Sequence, residues 1–122
     1  MAFGRETTAA NVKPLEGAII RRYTAGAAIE AGEIVSMQSD GKVDPTDTTG
    51  AVATNVGIAL NAAADGNRVD VVISGPVQCI LEGTPGAVIY DSTTAGEPAA
   101  SASGNQKPVG FAESATVLFV RI

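Results

Sequence analysis

The segment NVGIALNAAADGNRVDVVI, residues 55–73, is echoed by PVGFAESATVLFVRI, residues 108–122, which closes the chain. Each has a Val-Gly pair, an aliphatic or aromatic residue, an alanine, a short polar turn and then an apolar run. The likeness extends upstream. The first copy begins IEAGEIVSM, residues 29–37, the second GTPGAVIYD, residues 83–91, and a long polar loop follows each. Gly32 precedes Gly57 by 25 residues and Gly86 precedes Gly110 by 24. Three elements in matched order and spacing point to a duplicated unit. Two copies are too few for a solenoid, so the expectation is one pseudo-symmetric domain. Gly57 and Gly110 interrupt strands, where a missing side chain permits a bulge or a close backbone approach.

Outside the echo the same texture continues. AIIRRYTA (18–25), EIVSM (33–37), VGIAL (56–60), RVDVVI (68–73), VQCIL (77–81), AVIYD (87–91) and TVLFVRI (116–122) are separated by Gly, Pro, Asp and Asn. Short β-branched and aromatic runs at this spacing predict an all-β fold, a small pseudo-duplicated β-barrel over residues 17–122. No segment has a long helical period; only LNAAAD, residues 60–65, suits a single helical turn. Residues 1–16 show neither period, and Pro14 disfavours helix at Lys13, so they read as an extended N-terminal arm. DPTDTTGAVAT (44–54) and DSTTAGEPAASASGNQ (91–106) are expected to be surface loops.

A chain of 122 residues fits one domain with a modest core. Its apolar fraction is 45% but its aromatic fraction only 4%, so that core falls to Val, Ile and Leu. No 18-residue apolar run and no signal-peptide pattern occur, so the expectation is a soluble protein with no membrane contact, made in a cytoplasm. Cys79, the one cysteine, lies in VQCIL and reads as a buried thiol. The net charge of −5 argues against direct nucleic-acid binding, which rests on clustered Lys and Arg. Its distribution is uneven: residues 1–22 carry four basic and two acidic side chains, residues 23–122 four basic and eleven acidic.

The absence of histidine removes the commonest general base and metal ligand, along with Ser-His and Cys-His nucleophiles, and the expectation is that the protein is not an enzyme. Asp44 with Asp47, and Asp65 with Asp70, read as turn carboxylates; neither set matches a calcium loop, and no metal or cofactor is expected. SGP (74–76) and GNQKP (104–108) match no phosphate-binding loop. Lys42 in SDGKVD follows an Asp-Gly tight turn, which explains the segment without a modified carrier lysine. Arg21 and Arg22 adjoin in a strand and must face opposite ways, one toward an acidic neighbour and the other toward solvent or a partner.

The order AGEIV, polar loop, VGIAL, Val-rich strand, then TPGAVIYD, PVGFA and VLFVRI resembles the head-decoration or capsid cement proteins of tailed bacteriophages, over about residues 17–122. That resemblance implies a compact barrel of the kind called a β-tulip. It implies a homotrimer on the outer surface of an expanded capsid, where it clamps major capsid protein subunits against the pressure of packaged DNA. The arm would lie along the lattice, with Arg5, Glu6, Asn11, Lys13 and Leu15 as its candidate contacts. AAIEAGEIV also resembles the entry of the antifreeze-like SAF domain, a β-clip ligand-binding module, but aromatic and convergent polar groups for a sugar are lacking.

Overall fold

The computed structural model describes residues 3–122. It is all-β: β1 Gly4–Arg5, β2 Lys13–Pro14, β3 Ile19–Thr24, β4 Ile34–Met37, β5 Val43–Pro45, β6 Asn55–Ala59, β7 Arg68–Gln78, β8 Ile80–Leu81, β9 Val88–Tyr90, β10 Pro108–Ala112 and β11 Val117–Val120. The only helical turn among the described residues is a 3-10 turn at Ala9–Asn11. LNAAAD forms no helical turn; Ala63 and Ile29 instead exchange backbone hydrogen bonds of 2.8 and 2.9 Å as an isolated bridge.

β7 organises the molecule. The run RVDVVI and the start of VQCIL, expected in separate strands, lie in one strand because Gly75 takes φ of +99° and carries the backbone through the intervening SGP. A Cβ at Gly75 would sit 2.8 Å from the Gly17 carbonyl oxygen, so glycine is needed for contact as well. The main sheet runs β5-β4-β6-β7-β11-β10-β9, with β2 and β3 also paired to β7. All strand pairs are antiparallel, and a parallel bridge from Ala25 to Val43 curls the first half into a half-barrel.

The duplication is real. In the first half Glu33 N–H donates to Glu30 C=O (3.2 Å) across a turn with Gly32 at φ +91°; in the second Ala87 N–H donates to Thr84 C=O (2.9 Å) with Gly86 at φ +87°. These are type II turns, which require positive φ at their third residue. Gly32 N–H donates to Ala59 C=O and Gly86 N–H to Ala112 C=O, both at 2.7 Å, and each alanine donates back across the pair, to Glu33 and Ala87, at 2.9 Å. Gly57 pairs with Val35 and Gly110 with Ile89, and each pairing adjoins a register shift. A Cβ on Gly57 would strike the Val72 carbonyl, and one on Gly110 the Phe119 carbonyl. Gly57 and Gly110 are therefore equivalent strand-crossing points.

Burial separates the halves. In the first, Ile34, Ile58 and Val72 enter a large core, while their neighbours Val35, Ala59 and Val71 enter a smaller one inside the curl. Each of these isoleucine and valine side chains contributes about 1.5–3 kcal/mol on burial. In the second half Ile89, Ala112 and Leu118 face the large core, but the residues matching Ile34, Ile58 and Val72 are Val88, Phe111 and Phe119, which stay exposed or half-buried. The two phenylalanines stack at 5.2 Å, with the Arg121 guanidinium over Phe111.

Candidate interaction surface

The N-terminal segment lies against the body. β1 pairs with β8, and β2 pairs with the far end of β7 at Gln78 and Val77. Leu15 N–H continues the course by donating to Pro76 C=O (3.0 Å), and β3 follows β7 from Ser74 to Arg68. Residues 13–24 thus trace one interrupted strand along β7. Val12 is buried in the large core, which anchors this course. An alternation of Val12 between Asn11 and Lys13 is too short to register as a strand pattern, so sequence alone assigns the segment to an arm.

Arg5 is 8% exposed at its side chain. Its Nε donates to Glu97, one terminal nitrogen donates to Ala31 C=O at 3.0 Å, and the other lies 3.5 Å from Glu30. Burial opposes its charge most, yet the Glu97 hydrogen bond and the three surrounding carboxylates prevail and raise its pKa. Glu6 caps locally, accepting from Thr8 N–H (3.3 Å) and Asn11 Nδ2 (3.2 Å). Asn11 C=O accepts from Gln78 Nε2 (2.9 Å). Lys13 and Leu15 point outward. Arg5 and the Glu6 N–H, which donates to Cys79 C=O (2.9 Å), therefore hold the segment down, while Asn11, Lys13 and Leu15 are exposed.

The two long loops are joined by buried polar groups. Asp91, fully buried, accepts from Asn55 Nδ2 (2.8 Å) and Lys107 N–H (2.7 Å), while Asn55 Oδ1 accepts from Thr46 Oγ1 (2.9 Å). Thr48 N–H donates to Ser92 C=O (3.1 Å), and Gly96 N–H donates to Thr46 C=O (2.8 Å). Such bonds fix loop shape, because each buried donor lost without a partner costs about 1–3 kcal/mol. Glu33 packs on Gly96; burial foremost pushes its carboxyl above the usual range.

β3 is different. Five of its six residues are exposed, and among the described residues it pairs only with β7, so its outer edge is open. Arg22 forms a 3.1 Å ion pair with Asp70 on β7, whereas Arg21 lies over Tyr23 on the opposite face. The split expected for the two arginines is what the strand shows. Ile19 and Ile20 in β3 and Leu15 just before it are 55%, 46% and 38% exposed, half of the exposed large apolar side chains among the described residues.

A cavity of about 300 Å³ opens elsewhere, between β4, β5 and the loop after β5. Met37, Pro45 and Val52 supply apolar wall, and Asp44 and Asp47 supply carboxylates. Burial, then Asp40 and Asp65, push the Asp44 carboxyl upward. Asp47 accepts from Thr49 N–H (2.9 Å), and its bonds to Thr49 lower its pKa. Of Asp65 and Asp70, Asp70 pairs with Arg22. No group of three or more carboxylate or thiol ligands gathers among the described residues. No helix among them is long and apolar enough to cross a membrane.

What this arrangement offers is surface: an open strand edge, outward apolar side chains and preshaped loops. Comparison with known families agrees in kind. The model of a family described as phage cement protein matches residues 6–76, more than half of the 122-residue chain. No curated protein matches the chain.

Proposed function

The chain belongs to the phage cement protein family, and on that premise we propose that it is a non-enzymatic clamp on the outer surface of an expanded phage head. A capsid cement role and association with the virion follow from the family itself. The finer reading is a homotrimer that bridges neighbouring major capsid protein subunits and resists the outward pressure of packaged DNA, after synthesis in the host cytoplasm. The observation that supports a cement role is the family match, which runs from before β2 into β7 and so takes in the open β3 edge and the loop 46–54.

The structure is compatible with such work. A clamp must resist deformation, and the bonded loops, buried Asp91 and shared strand β7 tie both halves into one body. Three weak attachments on one rigid trimer become intramolecular after the first, raising avidity roughly 10²–10⁴-fold over one site. Lys13 and Leu15 are the lattice-facing part of the N-terminal segment in this reading, while Arg5 holds the segment in place from within. The test is co-sedimentation of the purified protein with expanded and unexpanded heads of its own phage, followed by heating of the decorated heads. Binding restricted to expanded heads, with later DNA release on heating, is expected; failure to sediment with expanded heads would overturn the reading.

A further inference from the structure

We propose that the subunits of the homotrimer meet through a contact in which the open edge of β3 on one copy docks against the acidic cavity of the next. The inference rests on the trimer reading above and assigns its interface. An unpaired strand edge carrying exposed aliphatic side chains invites another chain, and proteins that remain monomeric usually blunt such an edge or cover it. Ile19 and Ile20 lie on this edge without cover.

Charge identifies the occupant. Arg21 has no carboxylate partner among the described residues, since the ion pairs there engage only Arg5 and Arg22. Conversely Asp44 and Asp47 line a cavity that brings no basic side chain of its own. The cavity also offers apolar wall at Met37, Pro45 and Val52, which suits a guanidinium carried on an aliphatic stem. A basic, aliphatic edge and an acidic, part-apolar cavity on one chain are complementary to each other and not to themselves. With the edge and the cavity of each copy meeting different neighbours, such a contact is heterologous and closes into a ring when the rotation permits, and three copies form one such ring.

The test is the light-scattering mass of the full chain across a concentration series, for wild type, Arg21→Glu, Asp44→Lys and the double variant, with circular dichroism confirming that each is folded. The wild type is expected at trimer mass, with each single variant needing at least about tenfold more protein to assemble, because like charges then face each other. Restoring opposite charges in the double variant should bring the trimer back. Single variants that remain trimers at wild-type concentrations overturn the interface while leaving the trimer intact. A wild type that stays monomeric throughout overturns the interface and the trimer together, whereas co-sedimentation with heads separately decides the cement role. If Asp44→Lys fails to fold, Ile20→Lys on the exposed edge replaces it, and loss of assembly by that variant is then required.

Discussion

Replacing Gly57 or Gly110 by alanine should destabilise the fold by similar amounts, because both occupy the same point in the duplicated unit. An alanine Cβ at Gly57 would lie 2.8 Å from the Val72 carbonyl carbon and nearer still to its oxygen; at Gly110 it would lie 2.9 Å from the Phe119 carbonyl carbon. The obstacle in each case is backbone of the adjacent strand, which moves only by opening the ladder. Overpacking costs about 1–3 kcal/mol, and a lost ladder hydrogen bond adds about 0.5–1.5, so about 2–4 kcal/mol is expected for each. For a domain of this size that lowers the melting temperature by roughly 8–15 °C. Gly4 is the control: a Cβ there meets nothing within 4 Å, and Gly4→Ala should change stability by less than about 0.5 kcal/mol. Thermal and urea unfolding followed by circular dichroism measures all three. If Gly57→Ala and Gly110→Ala melt within about 2 °C of wild type, the strands do not cross as described. If only one is destabilised, the halves are not equivalent.

Asp91→Ala should cost about 2–4 kcal/mol in urea unfolding, because Asn55 Nδ2 and Lys107 N–H lose their buried acceptor; a cost below 0.5 would mean the loops are not held by it. Glu33 has its folded pKa raised above the ordinary 4.5, so the folded state binds its proton more tightly than the unfolded state. Its ionisation therefore costs stability as pH rises through the folded pKa, and nothing below the unfolded value. Glu33→Gln, which keeps an acceptor for Glu30 N–H, should stabilise the protein at pH 7 but not near pH 4, and an equal effect at both would refute this. Burial pushes the Cys79 thiol up to about 12, so a thiol reagent should modify it only as fast as the protein opens. Native protein labelled at the rate of a free cysteine would contradict that burial.

The strands and their duplication were legible because turn glycines and alternating apolar residues report local geometry, which neighbours rarely override. Gly32 and Gly86 at matched distances from Gly57 and Gly110 mark the repeated unit in the sequence itself, and the structure makes the first pair type II turns and the second pair strand crossings. The two-residue strands β1 and β2 were not legible, since their extended conformation comes from the partner they join, whereas β8 lies within the expected run VQCIL, which the structure breaks at Cys79. Asp91 is likewise silent in the sequence: a loop aspartate looks solvated until Asn55, 36 residues away, turns toward it. Arg5 was legible as a charge but not as a buried one, because Glu97 and the Ala31 carbonyl converge on it only in three dimensions.

The unequal fates of the two halves carry this one step further. Ile34, Ile58 and Val72 have the same local geometry as Val88, Phe111 and Phe119, and both sets are apolar, yet only the first is covered. Pattern therefore specifies which side of a strand is apolar, while burial depends on what the rest of the chain places over it. The N-terminal course along β7 takes part in that cover through Val12, which shares the large core with Ile34, Ile58 and Val72. A basic leading segment is thus built into the body up to the point where its surface opens at β3, and the same segment brings Arg21 to the open edge. An apolar, cationic edge held to β7 by its strand pairing is already ordered, whereas a freely moving arm would have to lose its conformational freedom before making any contact.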